Sequence, residues 1–104
     1  MNKEQILSTL KDIKLIYEEQ GLILVGLFGS YARDEATFDS DIDLLYKLNS
    51  EKFFDNESDW GGGVKLDTIK SSLEKIFHNK IDLCTINNPS RTFKKFALKD
   101  AIYV

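Results

Sequence analysis

Apolar residues recur at three- and four-residue steps near the amino terminus. Ile6, Leu10, Ile13 and Tyr17 share one face, which predicts an amphipathic helix from about Lys3 to Glu19, stopped by Gly21. The pattern then changes. Leu22 to Phe28 is almost continuously apolar, broken only by Gly26, and predicts a strand covered on both faces. Gly29-Ser30 ends it, and Tyr31 to about Asp34 reads as a short helical turn. Asp41 to Lys47 alternates: Ile42, Leu44 and Tyr46 point one way, Asp41, Asp43 and Leu45 the other, as on a second strand. Residues 49–63 are polar and acidic, end in Trp60-Gly61-Gly62-Gly63, and read as a mobile loop. Val64 to His78 is the next helix, with Leu66, Ile69, Leu73, Ile76 and Phe77 on its apolar stripe. Ile81 to Ile86 is a third strand. Asn87-Asn88-Pro89-Ser90 signals a turn and the start of a short basic helix containing Phe93, Phe96 and Ala97. Ala101 to Val104 is the candidate fourth strand. Helices interleaved with short strands predict a single small α/β (or α+β) domain over residues 1–104.

Composition narrows the class. With 104 residues, 42% apolar and 30% charged, the chain suits one globular domain that needs no covalent staple. One cysteine and no apolar run near about 18 residues exclude a disulfide scaffold and a membrane span. The polar amino terminus has no signal-peptide core, and with the lone thiol it predicts a cytoplasmic protein. The net charge of −3 is unevenly spread: residues 33–59 carry nine acids against three bases, whereas residues 60–104 carry eight bases against four acids. A concentration of carboxylates in mid-chain argues against direct nucleic-acid binding, since it repels a polyanion unless metal ions intervene.

Those carboxylates have a pattern. Asp41 and Asp43 stand two apart on a predicted strand, so both project from one face, and two like charges there call for a cation. Hard oxygen donors suit Mg²⁺, which prefers one or two carboxylates plus substrate phosphates to an all-protein cage. Upstream, Gly29 permits a sharp turn and close approach to the backbone, and Ser30 sits at a predicted helix start, where free N–H groups favour an anion. A phosphate cradle beside paired carboxylates is apparatus for phosphoryl or nucleotidyl transfer, with two metal ions as a common arrangement. Asp82, early on the next strand, is the candidate third carboxylate, bridging a metal or taking the proton of an attacking hydroxyl.

The run Gly29-Ser30-Tyr31-Ala32-Arg33-Asp34-Glu35-Ala36-Thr37-Phe38-Asp39-Ser40-Asp41-Ile42-Asp43-Leu44-Leu45 resembles the signature of the DNA polymerase beta-like nucleotidyltransferases. The whole chain resembles the minimal nucleotidyltransferases of that superfamily. The resemblance implies a mixed-sheet nucleotidyltransferase fold flanked by helices, with ATP as substrate and two Mg²⁺ ions. Asp41, Asp43 and Asp82 would hold the metals and form the catalytic set; Gly29, Ser30 and Arg33 would bind the nucleotide. Several such proteins are antitoxins that transfer AMP to a tyrosine of a small helical HEPN-domain ribonuclease, which makes a protein hydroxyl the expected acceptor here. One departure is visible: Asp34 stands where many relatives have Gly.

Each residue also has a structural alternative. Asp41 and Asp43 can be a solvated strand face, Asp82 an exposed strand residue, Ser30 a helix cap and Arg33 half of a surface ion pair. His78 reads as a helix-end residue, Cys84 as a buried inert thiol and Lys94, Lys95 and Lys99 as a solvated helix face. Tyr31, directly after Ser30, is a candidate neighbour of the nucleotide, and Trp60 a base-stacking or partner-facing aromatic. Two other functions remain open at this stage. One is a non-catalytic subunit that neutralises a partner by contact; the other is the catalytic subunit of a small-molecule nucleotidyltransferase. The oligomeric state is open too.

Overall fold

The computed structural model describes residues 1–53, 61–86 and 98–104, with the backbone alone at 61–64. The first helix, α1 (Lys3–Glu19), begins at a capping box. The Asn2 side chain accepts from the Gln5 N–H at 2.8 Å, and the Gln5 side chain accepts from the Asn2 N–H at 2.9 Å. It ends where Gly21 turns left-handed at φ +92°. Strand β1 (Leu22–Phe28) follows, then one helical turn, α2 (Gly29–Ala32), and strand β2 (Ile42–Leu48). A second turn α3 (Ser50–Phe53), helix α4 (Gly61–Phe77), strand β3 (Ile81–Thr85), turn α5 (Leu98–Asp100) and strand β4 (Ile102–Tyr103) complete the described elements.

The four strands form a mixed sheet, as expected, and their order is β3-β2-β1-β4. Strand β1 is antiparallel to β2 and β4, whereas β2 and β3 run parallel. Parallel strands need a crossover, and α3 and α4 lie in that connection. Helices α1 and α4 supply Ile6, Leu10 and Tyr17, and Ile69, Leu73 and Phe77, to a core shared with Leu22, Leu24, Leu27, Ile42, Leu44 and Ile81. The Tyr17 and Ser72 hydroxyls bond at 2.8 Å and tie the two helices together. No helix among the described residues is long and apolar enough to cross a membrane.

The continuous apolar run of β1 has a specific cause. The pairing register with β2 shifts between Leu24 and Gly26, so a bulge at Val25 reverses the alternation in mid-strand. Leu22 and Leu24 before it, and Leu27 after it, therefore all reach the same core. Phe28 emerges on the other face, paired with Asp43.

Two expectations need correction. The segment 49–63 is not simply a mobile loop: Ser50–Phe53 forms a helical turn that plants Phe53 in the core, and the glycines after Trp60 begin α4. Glycine signals a break only weakly when the following residues carry a strong packing stripe. Lys65 holds the Phe53 end in place, its ammonium 4.7 Å from the ring centre and 2.9 Å from the Phe53 carbonyl oxygen. Ile76, expected on the apolar stripe of α4, is among the exposed residues. Trp60 lies outside the described residues, as does the expected basic helix with Phe93, Lys94, Lys95, Phe96 and Ala97.

Candidate active site

The three candidate carboxylates lie at the sheet face opposite the main core. Asp43 lies between Phe28 of β1 and Asp82 of β3, being the register partner of both. Partners on adjacent strands stand about 4.8 Å apart with side chains on one face, so the two carboxylates are neighbours by construction of the fold. Asp41 sits just before β2, where the Ile42 N–H donates to the Lys80 carbonyl at 2.9 Å. A turn leads into it: the Thr37 N–H donates to the Ser40 hydroxyl at 2.9 Å and the Ser40 N–H to the Thr37 carbonyl at 3.1 Å. Asp41 and Asp82 are exposed, whereas Asp43 is half-buried.

That difference in burial separates their electrostatics. The Asp43 carboxyl is pushed up to about 6, first by burial, then by the charges of Asp82 and Asp41 and by the hydrogen bond its protonated form donates to Asp82; only Arg33 opposes. The Cys84 thiol, two residues after Asp82, is pushed up to about 11 by burial and by Asp82 and Asp43. It is thus an inert thiol at neutral pH.

Gly29 has a clearer reason than the one expected. Its φ is +77°, and a Cβ built there would fall on the Asp43 carboxylate. The group that needs the missing side chain is therefore Asp43 itself: the glycine makes room for the carboxylate at the end of β1. Ser30 follows on α2, a single turn, and its hydroxyl has no hydrogen-bond partner among the described residues. The Ser30 carbonyl accepts from the Glu35 N–H at 2.8 Å, closing the turn.

Arg33 is engaged by protein groups. Its Nε donates to Glu35 at 3.1 Å and its Nη1 lies 3.5 Å from Asp100 on α5, and both carboxylates raise its pKa further. Sequence reasoning missed Asp100, for which no local signal exists. Asp34 adopts φ +59°, the left-handed conformation that favours glycine, and pairs with Lys3 at 2.7 Å. Tyr31 packs against the core and its hydroxyl accepts from the Asn79 amide at 3.1 Å. It also lines a cavity of about 280 Å³ with Met1, Asn2, Lys3, Asp34 and Ala36, which contains none of the three aspartates. His78 is a helix terminator at φ +53°.

Among the described residues, no three His, Cys, Asp or Glu side chains converge closely enough to form a ready-made metal cage. The donor set nevertheless fits Mg²⁺, which takes one or two carboxylates and completes its octahedron with water and phosphate. The mutual charging of Asp41, Asp43 and Asp82 is the repulsion that such a cation relieves.

The profile of the family described as polymerase beta, nucleotidyltransferase, matches residues 11–104. An inferred protein adenylyltransferase of Methanocaldococcus jannaschii is 38% identical over 109 residues, covering 94% of this chain and all of its own. The protein adenylyltransferase MntA of Thermococcus cleftensis is 29% identical, over 97% of this chain and 91% of its own. Among solved structures, an inferred minimal nucleotidyltransferase superposes with a TM-score of 0.73 at 23% identity, covering 100% of this chain and 97% of its own. A toxin–antitoxin crystal structure with AMP-PNP superposes at 0.61 and 19% identity, over 99% of this chain and 72% of that one. At such identities these structures speak for the fold.

Proposed function

Because the chain belongs to the polymerase beta nucleotidyltransferase family, we propose that it transfers AMP from ATP to a hydroxyl of a partner protein, as the antitoxin of a two-component pair. The observation that carries the reading is the register pairing of Asp43 with Asp82, beside a glycine that makes room for the Asp43 carboxylate. The names of the relatives support a protein acceptor, and the AMP-PNP complex of a structural neighbour supports ATP. We place the reaction in the cytoplasm, with a small helical HEPN-type protein as the partner.

The chain's residues divide the work. Gly29 and Ser30 receive the triphosphate at the end of β1, where the free Ser30 hydroxyl donates to a phosphate oxygen. Arg33 adds a charge-assisted contact. Asp41, Asp43 and Asp82 would hold two Mg²⁺ ions, which when bound supply charge neutralisation of the triphosphate and of the leaving group. The acceptor oxygen attacks the α-phosphorus in line, the new O–P bond forms as the bond to pyrophosphate breaks, and the hydroxyl proton passes to the Asp82 carboxylate. An exposed Asp82 is reachable by a macromolecular hydroxyl.

The test uses α-labelled ATP, Mg²⁺ and the product of the adjacent reading frame as acceptor. Label should appear on the acceptor and disappear with Asp41→Ala or Asp43→Ala. Neutralisation of the partner by those variants without label would favour a contact inhibitor, and label on a small metabolite a small-molecule transferase.

A further inference from the structure

We propose that Asp100, on α5, is a positioning residue for the nucleotide: with Glu35 it holds the Arg33 guanidinium through Nη1 and Nε, from two sides, and leaves Nη2 for the triphosphate. The inference rests on the nucleotidyl-transfer reading above and assigns a part to a residue outside the signature.

The pairing of β4 with β1 puts Asp100 where it is needed. Leu27 is the register partner of Ile102 in an antiparallel pair. Asp100 lies two residues before Ile102, at the end of α5, and Gly29, which opens the signature turn, two residues after Leu27, so the pairing brings these two ends of the strands to the same side of the sheet. Arg33 is reached from both sides, by Glu35 at 3.1 Å and by Asp100 at 3.5 Å. Its Arg33 N–H meanwhile donates to the Gly29 carbonyl at 3.1 Å, which fixes its backbone to the same turn.

A guanidinium has five N–H donors in one rigid plane. Fixing Nε and Nη1 fixes the plane, and Nη2 has no partner among the described residues. The head lies close enough to Asp43 for its charge to be felt there. Two carboxylates on one cation leave a net charge of −1, so the group does not attract an anion from a distance. What the arrangement supplies is orientation: a planar donor edge set beside the carboxylate cluster before the nucleotide arrives. Lysine, a point charge on a flexible stem, cannot be held in this way.

The experiment measures Mg·ATP binding to the full chain by equilibrium dialysis, which needs no acceptor. Asp100→Asn should weaken binding about three- to tenfold, by the loss of one orienting charge-assisted contact, and Asp100→Glu should restore most of it. Placed in an Arg33→Ala background, Asp100→Asn should have no further effect, because its role runs through Arg33. In the transfer assay KM for ATP should rise while kcat stays within about twofold. A thermal melt confirms that each variant is folded, and Asp100→Glu carries the test if Asp100→Asn is not. Wild-type affinity in Asp100→Asn, or an equal loss with and without Arg33, overturns the assignment while leaving the nucleotidyltransferase reading intact. Failure of the wild-type chain to bind Mg·ATP sinks that reading itself.

Discussion

Replacing Asp43 by Asn should make the metal-free protein more stable and inactive. In the folded chain the carboxyl keeps its proton up to about pH 6, against 3.8 for an unperturbed group. Between those values the native state binds more protons than the unfolded one, so stability falls as the pH rises, and the loss is complete above about pH 7. A shift of about two units corresponds to about 3 kcal/mol at full strength. Asp43 is only half-buried, and solvent screening reduces the expected effect to about 1–2 kcal/mol. Asn is neutral at every pH and keeps an N–H that can donate to Asp82, as the protonated carboxyl does.

The assay is thermal unfolding with and without Mg²⁺ at pH 4 and pH 7.5. At pH 7.5 without metal the variant should melt about 4–10 °C above wild type, and at pH 4 the difference should shrink towards zero. Mg²⁺ should raise the wild-type midpoint and leave that of the variant nearly unchanged. If Asp43→Asn is destabilising at pH 7.5, or shifts the melt equally at both pH values, the carboxylate cluster is not under charge strain and the argument for a cation site loses its basis.

Other perturbations test the scaffold. Gly29→Ala adds a Cβ on the Asp43 carboxylate at a left-handed φ; denaturant melts should show a loss of at least about 1–2 kcal/mol, and the labelled-ATP assay at least about a hundredfold loss of transfer. His78→Gly removes the strain of φ +53° after α4 and should stabilise by about 1 kcal/mol with unchanged transfer, read in the same two assays. Gly21→Ala sets a Cβ 2.6 Å from the Phe53 Cα at φ +92° and should cost more than about 1 kcal/mol in a urea melt. Leu73→Ala empties a fully buried position of α4 and should cost about 2–5 kcal/mol by the same measurement.

Much of the fold was legible because the local signals agree with the packing. The helix over Lys3–Glu19 has a four- and three-residue apolar stripe and a terminating glycine, and the structure has the same boundaries. The strand Leu22–Phe28 was equally legible, but the reason for its continuous hydrophobicity was not, because a bulge is defined only by the partner strand. The segment around Phe53 went astray for a related reason. A four-residue helical turn in an acidic stretch has no period to detect, and its one buried aromatic is recognisable only once the Gly21 turn and Lys65 are seen against it.

The site divides along the same line. Gly29, Ser30, Asp41, Asp43 and Asp82 could be singled out from residue type and spacing, since chemistry of this kind needs a turn, a hydroxyl and carboxylates on neighbouring strands. Their inequality could not. Asp41 and Asp43 are chemically identical two residues apart, yet only Asp43 enters the sheet between Phe28 and Asp82 and loses solvent there. Burial is a property of three strands together, and it decides which carboxylate carries the charge strain. The same holds for Arg33, whose orientation depends on Asp100, a residue remote in sequence that the β1–β4 register returns to the signature turn. Composition and spacing name the candidate groups. The register of the sheet makes one of them expensive to ionise and one of them rigid, and under the proposed function a bound cation and a bound triphosphate answer those two conditions.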